Sequence, residues 1–284
     1  MSAENQSAFE AIGETLSYSF IEGGFRVPHT PHLTPWRDLP FSVVVYVHCG
    51  RYFYHPEEDE RQTVPPGCTL VIPQGMIHKV EMEGDGCLSV LHICYSLAHK
   101  MDVFSLFAVP RLLYGQESEA MSALLCDFYK WRSLSGQDIG AAIQQRLAAF
   151  EILQNVLRLS VPKEDVSRRL LKINHVSAAL QYINDNLAGD LSRERLARLL
   201  ALSETRFHYV FKEATGLSPM KYVSNQRLTS ARMLLLTTSE PVADIAARTG
   251  YEDLYHFSKM FKQQFGMSPS GYRKSARPVA AGRS

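Results

Sequence analysis

The chain is 284 residues long, 45% hydrophobic and 21% charged, which suits two ordinary domains with separate cores and excludes both a membrane-spanning chain and a single small module. Its formal charge of +1 hides an uneven division: residues 172–284 hold 16 Lys+Arg and 9 Asp+Glu, a balance of +7, while residues 1–171 hold the remaining 14 and 20, a balance of −6. The five cysteines, Cys49, Cys68, Cys87, Cys94 and Cys126, are odd in number and form no CxxC pair, so reduced thiols packing as small apolar groups are expected instead of a disulfide frame or a thiolate metal site.

The first residues, "MSAENQSAFEAIGETL", have neither the basic start nor the apolar centre of an export signal, so a cytoplasmic protein is expected. The runs "FSVVVYVHCG", "RYFYH", "CTLVIP" and "CLSVLHICYSL" follow, rich in β-branched and aromatic residues and separated by Gly, Pro and Asp turns, as in a small barrel or sandwich. Within them "GCTLVIPQGMIH", residues 67–78, reads G-x5-P-x-G-x2-H and resembles the second half-motif of cupin barrels. The resemblance implies turns at Gly67 and Gly75, with His78 projecting toward the barrel mouth. A cupin also raises the alternative of a metal-dependent enzyme or sensor fused to a second domain. The first half-motif is absent, however: His48 and His55 stand alone, and Met82 occupies the position of the expected Asn. No catalytic residue, metal or cofactor is therefore expected, and His78 reads first as a structural histidine near a pocket and second as a ligand contact.

From about residue 116 the period changes to that of helices, in "SEAMSALLCDFYKWRSL" and "DIGAAIQQRLAAFEILQNVLRL". Ile143, Leu147, Phe150, Leu153 and Leu157 recur at three- and four-residue steps. That stripe either covers the barrel or pairs two subunits. The polar "SVPKEDVSRR" at 160–169 reads as a linker.

The C-terminal half writes one pattern twice, "FHYVFKEATGLSPMKY" from Phe207 and "FSKMFKQQFGMSPSGY" from Phe257. In each, two Phe four apart share a helical face, a Gly ends the helix, and Ser-Pro starts the next with Ser as N-cap and Pro at the first position. Short helical stretches precede both, "SRERLARLLAL" and "PVADIAARTGY", each pairing an aliphatic residue with a small Ala (Leu196-Ala197, Ile245-Ala246). The result is two helix-turn-helix units, the second with one more residue in its turn, because Ile245 lies 49 beyond Leu196 whereas Phe257 lies 50 beyond Phe207. Between them 219–237 is one helical stretch, roughly 28 Å long at 1.5 Å per residue, a spacing suited to successive major grooves about 34 Å apart. With the basic balance this is the footprint of a nucleic-acid binder.

Residues from about 174 to 275 resemble the DNA-binding domain of the AraC/XylS family of transcription regulators. The resemblance is carried by Arg227, Leu228, Ala231, Leu234, Leu235, Ile245, Ala246, Gly250, Tyr251, Asp253, Phe257, Ser258, Phe261, Lys262, Phe265, Gly266, Ser268, Pro269, Tyr272 and Arg273. It implies seven helices in that domain and an α+β chain of two domains: a cupin-like effector-binding and dimerisation domain, 1–159 (barrel about 15–110, helices about 116–159), a linker, 160–171, and the DNA-binding domain, 172–277, with a disordered tail, 278–284. The two helix-turn-helix motifs fall at about 192–215 and 241–265. The partners implied are double-stranded DNA, a small-molecule effector such as a sugar or organic acid, RNA polymerase and a second copy of the chain, with no membrane.

On the helical wheel Thr205, His208, Tyr209 and Lys212 lie opposite the core face of the first recognition helix, and Tyr255, Ser258, Lys259 and Lys262 do so in the second. Thr205, His208, Tyr209, Tyr255, Ser258 and Lys259 are expected at base edges, although the Gln and Arg usual among strong base readers are missing there. Lys212 and Lys262, late in their helices, are expected at phosphates. For the effector, the resemblance to sugar-responsive regulators implies Arg37 and His92 as ligand contacts, with His78 converging on the same cavity and Tyr46 a fourth wall. A guanidinium holds hydroxyls or a carboxylate through its fork of donors, and an imidazole donates or accepts according to tautomer.

Overall fold

The computed structural model describes residues 15–28, 32–58, 60–97, 100–163 and 166–276. They divide into a unit of residues 16–97 and 101–163 and a unit of residues 15, 100 and 166–276. The expected tail, 278–284, lies outside the described residues.

In the first unit the β-branched and aromatic runs extend as strands. β1 (Ser17–Arg26), β2 (His32–Leu33), β3 (Ser42–Glu57), β4 (Glu60–Val64), β5 (Thr69–Ile72), β6 (Lys79–Leu97), β7 (Met101–Asp102) and β9 (Leu112–Leu113) form one antiparallel sheet. Its backbone order is β1-β6-β3-β5-β9, with β2 and β7 on β6 and β4 on β3. The pairings among the described residues run from one end strand to another, a mixed sheet-and-helix architecture in which no hydrogen-bonded closure of the expected barrel is present.

Two long strands, β3 and β6, carry the sheet. The first half of β3 pairs with β5 (Val43–Tyr46 opposite Thr69–Ile72) and its second half with β4. Register shifts between Val47 and Cys49 and between Cys49 and Arg51 mark the change of partner, as expected where bulges bend a ladder. Gly50 has φ +96°, and a Cβ there would meet the Asp85 carbonyl oxygen and Gly86 Cα at 2.8 Å. The two strands therefore approach each other closely at this bend.

Helices α1 (Gly115–Leu134) and α2 (Ile139–Arg158) pack together, α1 also against β3, β5 and β6. Phe128 of α1 meets Tyr18 and Phe20 of β1, and the Tyr95 hydroxyl donates to the Ala149 carbonyl at 2.7 Å. The stripe read from the sequence divides in two. Leu153 is buried and Phe150 packs edge-on to Tyr18, whereas Ile143 and Leu147 are 54% and 50% exposed, in line with Ile139 at 81%. The buried face of α2 is instead Ala141, Ala148, Ala149, Ile152, Leu153 and Val156.

The described residues of the stretch expected as a polar linker are structured. Val161-Pro162 (β10) pairs with Phe107-Ala108 (β8), and Val166–Asn174 forms helix α3. Val166, Leu170 and Ile173 are buried at steps of four and three, a short amphipathic pattern that the charges of "KEDVSRR" mask. Among the described residues the second unit holds seven helices after α3, the number implied for that domain: α4 (Ser177–Asp185), α5 (Arg193–Leu199), α6 (Glu204–Thr215), α7 (Pro219–Thr237), α8 (Val242–Arg248), α9 (Leu254–Phe265) and α10 (Pro269–Ala276); α3, which begins in the expected linker, is additional.

Candidate nucleic-acid interface

Each helix-turn-helix is built from its cap residues outward. In the first, Ser192 Oγ accepts from the Arg195 N–H at the start of α5, and Ser203 Oγ accepts from the Arg206 N–H at the start of α6. In the second, the Asp253 carboxylate accepts from the Tyr255 N–H at 2.8 Å to open α9. Gly216 (φ +78°) and Gly266 (φ +76°) end α6 and α9, each donating to the carbonyl four residues back, the left-handed cap that glycine adopts most readily. Pro219 starts α7 as expected, but the Ser218 side chain makes no capping bond. Ser268 does, accepting from the Gly271 N–H at 3.2 Å.

The additional residue of the second unit lies in its turn. Leu200–Ser203 separates α5 from α6, and Thr249–Asp253 separates α8 from α9. Positive φ is taken by Ala201 (52°) in the first turn and Gly250 (85°) in the second. Gly250 is forced by its surroundings, because a Cβ there would lie 2.4 Å from the Leu187 carbonyl oxygen and 2.7 Å from the Arg227 guanidinium. Arg227, on the connecting helix α7, donates from Nε to Leu187 O at 2.8 Å and from Nη2 to Gly189 O at 3.0 Å. The turn of the second unit, the connecting helix and the approach to the first unit therefore meet at one point. Buried Ala197 and Ala246 sit beneath the two recognition helices, whose core faces are Phe207, Phe211 and Ala214 in α6 and Phe257 and Phe261 in α9.

The opposite faces carry the residues selected from the sequence. Thr205, Tyr209 and Lys212 are exposed and His208 half-buried on α6; Tyr255, Lys259 and Lys262 are exposed and Ser258 half-buried on α9. Tyr209 and Tyr255 stand out from the surface, at 63% and 78% exposure. Exposed tyrosines of this kind supply an apolar ring and a hydroxyl to a partner. The surrounding cations differ in occupation: Arg193 pairs with Glu204 at 2.6 Å, Arg198 with Glu194 at 2.5 Å, Lys172 with Glu213 at 3.2 Å, and Arg248 with Glu240. Lys212, Lys259 and Lys262 make no ion pair among the described residues, which leaves their charge to an external anion. Arg206, exposed beside this face, was passed over by a reading confined to the three-to-four stripe; its position next to His208 and Tyr209 was the available signal.

A helix-turn-helix domain family model matches residues 196–275. The chain is similar to the HTH-type transcriptional activator RhaS of Enterobacter sp. (strain 638), 35% identical over 133 residues, 47% of this chain and 47% of that one. It is also similar to the arabinose operon regulatory protein of Escherichia coli (strain K12), 31% identical over 135 residues, 47% of this chain and 46% of that one. These matches are confined to the C-terminal half, which is similar to the corresponding half of AraC-type transcription regulators. A solved structure, the C-terminal domain of AraT, a response regulator from Geobacillus stearothermophilus, is 32% identical with a TM-score of 0.36, covering 38% of this chain and 91% of that one. The chain spans about half the length of the curated relatives it matches.

The sheet unit holds a second polar cluster. Arg37 and His78 exchange backbone hydrogen bonds of 2.9 and 2.8 Å. His78 is 1% exposed, and its Nδ1–H donates to the Met76 carbonyl at 2.8 Å. Burial is the main reason its pKa is pushed down to about 4, with the Arg37 and His92 charges acting in the same direction. His92 is hydrogen-bonded through Nδ1 to Glu22 Oε1 at 2.9 Å and stacks on Phe41 at 4.9 Å. That bond, ahead of the charges of His92, Arg26 and Arg37, holds Glu22 below its usual carboxylate range.

Arg37 and His78 are thus paired through their backbones, and the charges of Arg37 and His92 reach both His78 and Glu22; Glu22 was missed by sequence reasoning because it lies 70 residues from its partner. Tyr46 does not join them. His92 pairs with Val43 and Tyr46 with Ser89 in the same ladder, so the two-residue alternation sends Tyr46 to the other face, where it packs edge-on to His48 at 4.8 Å. Among the described residues no group of three or more His, Cys, Asp or Glu is placed to hold a metal ion, and Met82 is buried. No helix among them is long and apolar enough to cross a membrane.

Proposed function

We propose that the chain is a sequence-specific DNA-binding transcription regulator, acting chiefly as an activator, in which α6 and α9 enter successive major grooves on one face of a duplex. The observation that carries this reading is the pair of helix-turn-helix units joined by a single 19-residue helix, each presenting a polar face with lysines that no carboxylate occupies. Thr205, His208, Tyr209, Tyr255, Ser258 and Lys259 read base edges, and Lys212 and Lys262 hold phosphates. The test selects duplexes from a random pool with the full chain and measures their affinity against scrambled duplexes over a range of salt. A selected duplex is expected to bind at least ~10³-fold tighter, with log K falling linearly in log salt. Equal affinity for selected and scrambled duplexes would overturn the reading.

The sheet unit is the sensor in this proposal. It curls its sheet in a cupin-like manner without a closed ladder, binds a sugar or organic acid among Arg37, His78, His92 and Glu22, and pairs two copies of the chain through the exposed Ile139, Ile143 and Leu147 row of α2. The effector acts by binding one presentation of the DNA-binding halves better than another, which changes operator occupancy and polymerase recruitment in the cytoplasm. A thermal-shift screen of sugars and organic acids identifies it, because a specific ligand stabilises the folded state by mass action. The activator and regulator functions named for the relatives support a regulator over a metal-dependent enzyme.

A further inference from the structure

Away from the His92 cluster, the bend of β3 and β6 brings two cysteines together. Cys49 and Cys87 are 38 residues apart in sequence but stand directly opposite in the antiparallel ladder, between the two register shifts. Directly opposed residues project from the same face. Their Cα atoms in such a ladder are about 4.5 or 5.5 Å apart according to the pair type, and both values lie within the ~4.4–6.8 Å that a disulfide spans. The neighbouring glycines press the strands closer: a Cβ on Gly86 would lie 2.9 Å from the Cys49 carbonyl oxygen, and one on Gly50 would lie 2.8 Å from Gly86 Cα.

Access and polarity fit the register. Both thiols are free; Cys49 is exposed and Cys87 half-buried, whereas Cys68 is buried. The Cys49 side chain beside it is the largest reason the pKa of Cys87 is raised, with burial adding to it. Cys87 is thus held as a thiol facing Cys49. One residue before Cys49 and two after Cys87, His48 Nε2 lies 2.8 Å from Ser89 Oγ.

We propose that Cys49 and Cys87 are a reversible oxidation site, at which a peroxide converts the dithiol to a cross-strand disulfide. The Cys49 thiolate sulfur attacks one peroxide oxygen, the O–O bond breaks, and the departing hydroxide takes up a proton as water, leaving Cys49 as the sulfenic acid. The Cys87 sulfur then attacks the Cys49 sulfur; the S–O bond breaks, and the leaving hydroxide combines with the Cys87 proton to form a second water. The peroxide is reduced by two electrons and the two thiols are oxidised by two. An external small dithiol reverses the change by thiol–disulfide exchange. The bridge would tie β3 to β6 at the bend, making the bulged hairpin the redox-sensitive element of the sheet unit. The proposal is independent of the DNA-binding reading.

The test treats the full chain with excess hydrogen peroxide and follows free thiols, intact mass and peptide maps. Two of the five thiols are expected to disappear with loss of two hydrogens, in a monomeric product whose map contains a Cys49–Cys87 linked peptide, and dithiothreitol restores both. Cys49→Ser is expected to abolish the linked peptide, and Cys87→Ser to leave Cys49 as a sulfenic acid trapped by dimedone. Because circular dichroism checks the fold of each variant before oxidation, a misfolded variant is recognised and the wild-type peptide map decides alone. Oxidation that yields a bridge to Cys126, bridges between chains, or no Cys49–Cys87 peptide in folded wild-type protein overturns the proposal.

Discussion

Replacing Gly250 by Ala tests the junction of the two helix-turn-helix units at a residue expected to touch no DNA. The backbone there is at φ +85°, where a β-carbon adds about 1–2 kcal/mol of strain. The new methyl would also lie 2.7 Å from Cζ and Nε of Arg227 and 2.4 Å from Leu187 O, so the guanidinium must leave the carbonyls of Leu187 and Gly189 or the turn must open. Hydrogen bonds to a charged group contribute about 1.5–3 kcal/mol each, and the partial exposure of Arg227 reduces that contribution through solvent screening. The total is about 3–5 kcal/mol, at the upper end for a single substitution. Urea unfolding followed by helical circular dichroism measures it, and operator binding is expected to weaken in parallel because the turn sets the entry of α9. Arg227→Ala in the Gly250→Ala background supplies a double-mutant cycle. Since both changes break the same contact, their effects are expected to fall well short of additive. A Gly250→Ala variant within about 0.5 kcal/mol of wild type, the range of ordinary surface substitutions, or full additivity in the cycle, would refute the reasoning.

His208→Ala is expected to lower affinity for the best operator by about 1 kcal/mol, the low end of a base contact, and to change base preference at one position; competition binding with single-base variants measures both. Lys212→Ala and Lys262→Ala are each expected to weaken binding to all duplexes alike and to reduce the salt slope by about 0.9, the value of one phosphate contact. Arg37→Ala and His92→Ala are expected to abolish effector-dependent reporter induction while operator binding persists; normal induction in both removes them from the pocket. Burial raises the pKa of Asp102 to about 6, so its contribution is present at low pH and is lost as pH rises through 6. Relative to Asp102→Asn, wild type is therefore expected to lose about 2 kcal/mol between pH 4 and 7, at 1.36 kcal/mol per pKa unit. His78, pushed down to about 4, acts oppositely: its neutral burial adds stability as pH rises from 4 to 6.5, so only the difference between the two proteins isolates Asp102. A difference independent of pH in urea unfolding rules the assignment out.

What the sequence determined by itself was written in short-range patterns. Phe207 with Phe211 and Phe257 with Phe261 defined two helix faces, Gly216 and Gly266 ended those helices, and the 219–237 helix was legible to its last residue, because helix periodicity, caps and stops act within a few residues. Even the longer second turn followed from counting between repeats. The helix in the expected linker was missed because a stripe of only Val166, Leu170 and Ile173 lay among charged residues, and its burial depends on packing against α6. The sheet was legible only as a set of strands. Which residues stand opposite one another depends on register between segments distant in the chain, and one residue of slip reverses a face. Tertiary structure therefore decided that Tyr46 turns away from His92, that Glu22 meets His92, and that Cys49 faces Cys87 across a bulge. It likewise decided that Gly250 must lack a side chain, since the space a Cβ would occupy is taken by Arg227 and by a carbonyl 63 residues earlier in the chain.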